Sequence, residues 1–121
     1  SQSIRKLISG KLSKLKSKQV NLESDLDESK DREQFKVYAD LLSANLHQIT
    51  TGMKSIVLND FYSENYDEIN IPLDIKLSGP QNAQRYYKRY AKLKNAELEV
   101  SKQIEETEGE IEYLESIMSS L

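Results

Sequence analysis

The segment that decides the fold begins QNAQRYYKRYAKLKNA at residues 81–96 and continues without a proline to residue 121. It is rich in Ala, Leu, Lys, Glu and Gln, which lose little side-chain freedom in a helix, so it predicts one long helix. Steps of three and four residues trace a mostly apolar seam: Ala83, Tyr86, Tyr90, Leu93, Glu97, Val100, Ile104, Thr107, Ile111, Leu114, Met118 and Leu121. Such a helix is roughly 60 Å long, so most of its seam requires a partner helix.

Residues 1–34 supply that partner, because they are typical of a first coiled-coil helix with a seam of its own. Its seam positions are Ile8, Leu12, Leu15, Gln19, Leu22, Leu26 and Ser29. The first eighteen residues carry six bases and no acid, whereas residues 105–115 carry six glutamates. An antiparallel pairing brings these opposite charges together, and we expect a register with Leu12 near Thr107 and Leu15 near Ile104.

Residues 35–80 predict a small middle module between the two helices. An apolar face over 35–51 predicts a helix that stops near Gly52, β-branched runs predict a β-hairpin at about 55–72, and residues 73–80 form a turn. The second coiled-coil helix, residues 81–121, packs its start on the module, since an isolated two-stranded hairpin is marginal in water. The predicted fold class is therefore mainly α, a long antiparallel two-helix coiled-coil hairpin with a small α+β module at its tip.

The composition excludes several classes of function. Apolar residues are 37% and charged residues 31%, without Trp or Cys, which excludes disulfides and thiolate metal sites. His47 is the single histidine, and no nucleophile–base pair, glycine-rich phosphate loop or metal-ligand spacing is present. We therefore expect no enzyme, no catalytic residue, no cofactor and no metal. No apolar run approaches the ~20 residues that cross a bilayer, so we expect no membrane partner.

One group of residues suggests binding to RNA. Arg85, Lys88, Arg89 and Lys92 recur at helical spacing on one surface, which suits contact with a phosphate backbone. Tyrosines interleave with them, and a tyrosine that the core does not need can stack on a base. The alternative is that the tyrosines pack the middle module and the bases only keep the helix soluble. The sequence alone does not choose between these two interpretations.

Several motifs resemble a known family. They are IPLD at 71–74, LS at 77–78, NAQRYYKRY at 82–90 and KLK at 92–94, with YADLL at 38–42, ANL at 44–46 and EYLE at 112–115. Together they resemble the middle coiled-coil segment of the fibronectin-binding protein A family, the NFACT group, whose bacterial members include ribosome quality-control factors of the RqcH type. Ile75 and the Gly79–Pro80 pair depart from the family pattern, and residues 1–34 resemble it only as generic coiled coil.

The resemblance implies a cytoplasmic, non-enzymatic interaction arm of a longer protein, and a chain that begins at Ser1 without Met agrees with a segment. This arm would dock the parent on the large ribosomal subunit that carries stalled peptidyl-tRNA, with Arg85, Lys88, Arg89 and Lys92 as rRNA contacts. The resemblance implies that tRNA is bound by domains outside this segment. Two alternatives stay open: a fibronectin-binding adhesin segment at the cell surface, and a plain coiled coil that forms a homodimer.

Overall fold

The computed structural model describes residues 1–121, and 71% of them are helical. The elements in chain order are α1 (Gln2–Ser29), α2 (Arg32–Ala44), a 3-10 helix (Leu46–Gln48), β1 (Ser55–Asn59), β2 (Glu68–Pro72) and α3 (Gly79–Ser120). None of the helices combines the length and the apolarity that crossing a membrane requires. The chain divides into two compact units, a helical unit of Ser1–Lys30 with Asn95–Leu121 and a mixed unit of Asp31–Lys94.

The predicted fold class is wrong. The chain does not form one long antiparallel two-helix coiled-coil hairpin, because it has three α-helices and two separate cores. The start of α3 buries Ala83 and Tyr86 in the core of the mixed unit, whereas Ile111, later in the same helix, is buried with Ile8 and Leu12. A continuous apolar seam therefore meets different partners along its length. Periodicity reports that a face is buried, but it does not report what covers the face.

The helical unit contains one small core. Ile8, Leu12 and Ile111 are buried there, with partly buried Leu15, Leu114, Ile117 and Met118 packed against them. Ser1 caps α1, since its hydroxyl accepts a hydrogen bond from the Ile4 amide. Each unit thus has an apolar cluster of its own, and this one is the smaller.

The contacts within the helical unit differ from the predicted register. The Gln19 amide donates to the Glu108 carboxylate at 3.3 Å, and the Lys16 ammonium lies 3.3 Å from the Glu115 carboxylate. The predicted register placed Gln19 opposite Val100 and Lys16 opposite Gln103, which are 8 and 12 positions, or about one to two heptads, nearer the start of α3. A seam with the same kind of residue every seven positions packs almost equally well after such a shift, so the pattern alone does not determine the register.

Two helix boundaries also differ from the predicted ones. The first helix ends at Ser29 rather than near residue 34, and the Ser29 hydroxyl donates to the Leu26 carbonyl at 2.6 Å. The second helix begins at Arg32 and ends at Ala44, before the expected stop near Gly52. It ends there because Asn45 leaves helical geometry and its side-chain amide donates to the Leu41 carbonyl at 2.8 Å.

The mixed unit packs α2 and the start of α3 against a two-stranded sheet. Strands β1 and β2 are antiparallel, with Ile56 opposite Ile71 and Leu58 opposite Ile69. Their inward side chains join a core that also contains Ala39, Leu41, Leu42, Ala83 and Tyr86. The predicted division of the chain into 1–34, 35–80 and 81–121 stays a prediction about domain organisation.

Candidate nucleic-acid interface

The basic surface predicted from the sequence lies near the start of α3, where a capping box sets the helix in place. The Ser78 hydroxyl accepts from the Gln81 amide at 3.3 Å, while the Gln81 side chain accepts from the Ser78 amide at 2.9 Å. Asn82 also holds the turn that precedes the helix. Its buried side chain accepts from the Asp74 amide and donates towards the Asp74, Leu77 and Ser78 carbonyls. The turn before α3 is thereby held to the helix.

Arg85 is engaged with this turn. Its guanidinium lies 3.7 Å from the Asp74 carboxylate, which also accepts a hydrogen bond from the Lys76 amide. The Arg85 side chain nevertheless remains about half exposed. Part of its charge is therefore already neutralised within the chain, and an ion pair of this exposure contributes little to stability.

Arg89 lies on an aromatic surface. Its guanidinium is 4.3 Å from the centre of the Phe35 ring and 5.9 Å from that of Tyr86, within the range of a cation–π contact. The planar guanidinium can stack in this way and still donate hydrogen bonds from its edge. Arg89 is thus held in one orientation by packing against α2, and it is not a freely moving charge.

Lys88 and Lys92 are different from the two arginines. Both side chains are exposed, and neither makes an ion pair, hydrogen bond or cation–π contact within the described chain. They lie one helical turn apart on α3, so their ammonium groups share a surface. Of the four predicted contact residues, these two are the ones whose charge is left to solvent or to a partner.

A further base belongs to the same region but comes from another helix. Lys36 on α2 and Lys94 on α3 both approach the Tyr90 ring, at 5.9 Å and 6.0 Å from its centre. Neither lysine is among the four residues that the sequence predicts to contact RNA. The sequence predicts that the start of the second long helix packs on the middle module, but the pairing of individual residues depends on how the helices cross.

The tyrosines of α3 are largely taken up by the fold. Tyr86 is buried between Phe35 and Tyr38, its hydroxyl donates to the Pro72 carbonyl, and burial raises its pKa. Tyr87 remains partly exposed, but its hydroxyl donates to the Asp40 carboxylate. The structure therefore uses Tyr86 as a core residue, in agreement with the packing alternative, and it leaves no tyrosine of this group fully free to stack on a base.

Asp40 connects three elements of the mixed unit. Its carboxylate accepts hydrogen bonds from Tyr87 on α3 and from Tyr62 in the β1–β2 loop, the latter at 2.6 Å. Burial tends to raise the pKa of Asp40, but the two hydrogen bonds and the charge of Lys36 outweigh it and hold the pKa below 3.8. The same hydrogen bonds to Asp40 raise the pKa of both tyrosines above 10.0. At neutral pH the carboxylate is ionised and both hydroxyls are protonated.

Comparison with known protein families assigns this chain to one of them. The sequence model of one family, described as "NFACT N-terminal and middle domains", matches residues 1–121. The chain belongs to the NFACT family. The resemblance inferred from the motifs is therefore confirmed.

Individual relatives agree with the NFACT assignment. The segment is 36% identical over 116 residues to the Rqc2 homolog RqcH of Streptococcus suis, across 96% of this chain and 21% of that protein. It is 32% identical over 120 residues to the Rqc2 homolog RqcH of Bacillus subtilis, across 99% of this chain and 21% of that protein. The NFACT segment thus spans about one fifth of the length of the curated relatives it matches.

Proposed function

We propose that this NFACT segment is a non-enzymatic interaction arm that docks a longer, cytoplasmic quality-control factor on the large ribosomal subunit carrying stalled peptidyl-tRNA. Membership of the NFACT family and similarity to proteins named Rqc2 homolog RqcH support the assignment. The arm contacts rRNA through Arg85, Lys88, Arg89 and Lys92. Contact with tRNA belongs to segments of the parent outside these residues.

The observation that carries the proposal is the exposure of Lys88 and Lys92 on a helix whose neighbouring bases are already positioned. Arg85 and Arg89 are oriented by Asp74 and Phe35, yet both keep exposed donors. A helix surface with two free ammonium groups beside two oriented guanidinium groups matches the spacing of charge along a nucleic-acid backbone. Binding of this kind releases counterions, so its affinity must fall steeply as salt rises.

The test compares two charge-reversed variants of the segment for binding to purified large ribosomal subunits. Lys88→Glu with Lys92→Glu alters the proposed surface without touching the Asp74 ion pair or the Phe35 stack. Lys18→Glu with Lys102→Glu is the matched control, because these lysines are also exposed, lack an ion pair and lie in the helical unit. Both variants change the net charge equally, so a difference between them reports location and not total charge.

We expect the Lys88/Lys92 variant to bind about tenfold or more weakly at low salt, and the control to bind almost as the parent does. The slope of log affinity against log salt should also decrease in magnitude by about 2 for the first variant, since roughly one unit is lost per phosphate contact. Equal losses for both variants, or unchanged binding by the Lys88/Lys92 variant, would contradict the proposed surface. Salt-resistant binding to fibronectin would instead favour the adhesin alternative.

A further inference from the structure

The loop between β1 and β2 is built as a rigid platform. The Asp60 amide donates to the Asp67 carbonyl at 2.8 Å, which closes the loop at its base. Within it, the Tyr62 amide donates to the Asp60 carboxylate and the Asp67 amide donates to the Ser63 hydroxyl. Tyr66 has a φ of 51°, a left-handed conformation that is unfavourable for a non-glycine residue and persists only where the surroundings hold it.

This rigid loop exposes its aromatic rings. The exposed fractions are 45% for Phe61, 58% for Tyr62 and 62% for Tyr66, and none of the three contributes to the buried core. The centres of the Phe61 and Tyr62 rings lie 4.9 Å apart. The hydrogen bond from the Tyr62 hydroxyl to the Asp40 carboxylate holds the Tyr62 ring in position. Large aromatic surface that is ordered and still exposed is typical of binding sites, because little side-chain entropy is lost when a partner covers it.

A shallow groove runs beside the loop. Its volume is about 530 Å³, and Phe61 and Tyr66 line it together with Val57, which is 56% exposed on β1. Asn45, Gln48 and Asn59 add side-chain amides to the lining. Apolar walls with a few amides suit an extended polypeptide, whose backbone needs hydrogen-bond partners and whose side-chain stems need apolar contact.

The negative charge around the groove favours a positively charged partner. Residues 55–73, which include both strands and their loop, contain four acids and no Lys or Arg. The carboxylates of Glu64, Asp67 and Glu68 are exposed and make no ion pair in the described chain. Such a surface repels a phosphate backbone, so it is unsuited to nucleic acid. Cations are attracted both by the carboxylates and by the faces of the exposed aromatic rings.

We propose that the β1–β2 loop and its groove form a docking site for a basic, extended protein segment. Lysine or arginine stems of the partner lie along Val57, Phe61 and Tyr66, and their charged ends meet the ring faces and the carboxylates of Glu64 and Glu68. The mixed unit then carries two surfaces of opposite specificity, since the bases of α3 suit nucleic acid. The site is independent of ribosome docking by α3, and either can fail without the other.

The experiment follows the amide spectrum of the segment during titration with a peptide of alternating Arg and Ala residues. We expect shifts that concentrate on residues 44–48 and 57–68. Glu64→Gln with Glu68→Gln removes two charges at the site, and Glu105→Gln with Glu112→Gln is the matched control in the helical unit. The first pair of changes should weaken binding about fivefold or more at low salt, and the control pair should weaken it less than twofold.

A third variant tests the aromatic contribution separately. Phe61→Ala with Tyr66→Asn removes both rings, and Asn tolerates the left-handed conformation at position 66. We expect about fivefold weaker peptide binding, with the dispersion of the amide spectrum preserved as evidence of folding. Equal weakening by the helical-unit control, shifts centred on residues 105–115, or shifts of the loop caused by an oligonucleotide or by self-association would each overturn the proposal.

Discussion

Asp40 shows how one half-buried carboxylate can join three elements of a small unit. It lies on α2 and accepts hydrogen bonds from the loop residue Tyr62 and from Tyr87 on α3. Charge-assisted hydrogen bonds of this kind are stronger than neutral ones, although solvent access reduces their net contribution. Asn82 does the same for the turn before α3 with a neutral side chain that is only 2% exposed. The role of Asp40 is not visible in local sequence, because its partners lie 22 and 47 residues away.

The depressed pKa of Asp40 predicts how stability depends on pH. Because the folded pKa lies below 3.8, the stabilisation is fully present above that value and is lost as pH falls through the folded pKa. Asp40→Asn should therefore lower the free energy of unfolding by about 1 kcal/mol at pH 7, and by much less at pH 2 to 3. Denaturant unfolding of both proteins at these pH values measures this, with the exposed Asp25→Asn as the control. A difference that persists unchanged at low pH would contradict the assignment.

The helices illustrate what a periodic pattern can and cannot determine. The positions predicted for the seam of α1 are all buried or half-buried, from Ile8 to Ser29. The register, the end of the first helix and the partner of each stretch of α3 were not determined by the pattern. Burial of a face follows from a local repeat, whereas register and partner depend on differences of packing energy between alternatives that all bury the same kind of side chain.

Glycines within α3 give a prediction at the scale of the element. A Cβ added to Gly109 would meet no atom within 4 Å, whereas one added to Gly79 would lie 3.1 Å from the Ile49 Cβ. Gly109→Ala should stabilise the protein by about 0.5–1 kcal/mol, because alanine loses less backbone entropy in a helix interior. Gly79→Ala is the contrasting variant and should give no such gain. Thermal unfolding measures both, and a destabilised Gly109→Ala variant would show that the helix needs glycine there.

At the scale of the whole molecule, the chain consists of two compact units with separate apolar clusters. The predicted fold class was a long antiparallel two-helix coiled-coil hairpin with a small α+β module at its tip, and the long hairpin was the main error. The apolar residues of α2 and of the sheet cover the first part of the α3 seam, and they bury Ala83 and Tyr86 there.

This division predicts that the mixed unit folds by itself. A fragment of residues 31–94 contains its complete apolar cluster, the Asp40 hydrogen bonds and the capping box at Ser78. We expect a dispersed amide spectrum whose peaks match those of the same residues in the full segment, with a lower unfolding temperature, because so small a core is marginal. A fragment of residues 1–30 provides the comparison and should be largely unfolded. Collapse of the 31–94 spectrum would show that the two units stabilise each other.

Some features of the candidate site could be predicted from the sequence, and others could not. The sequence placed Arg85, Lys88, Arg89 and Lys92 on one helical surface, and their contact with RNA stays a prediction. It did not indicate that Arg85 pairs with Asp74, that Arg89 stacks on Phe35, or that Lys36 approaches Tyr90 from another helix. Only the structure therefore distinguishes the bases that contact other side chains from those that do not. The distinction depends on which side chains the fold brings within about 4–6 Å of each base.

The sequence by itself determined the properties that repeat locally or that are conveyed by short motifs: the helical character, the full or partial burial of every seam position except Leu121, and membership of the NFACT family. Only the tertiary structure decided which partner covers each part of the long helix, which register the helical unit adopts, and that an acidic, aromatic loop lies in the same unit as the basic surface. The physical reason is that local periodicity constrains one chain segment at a time. Partner and register result from competition among many similar apolar contacts, which is settled only when all segments pack together.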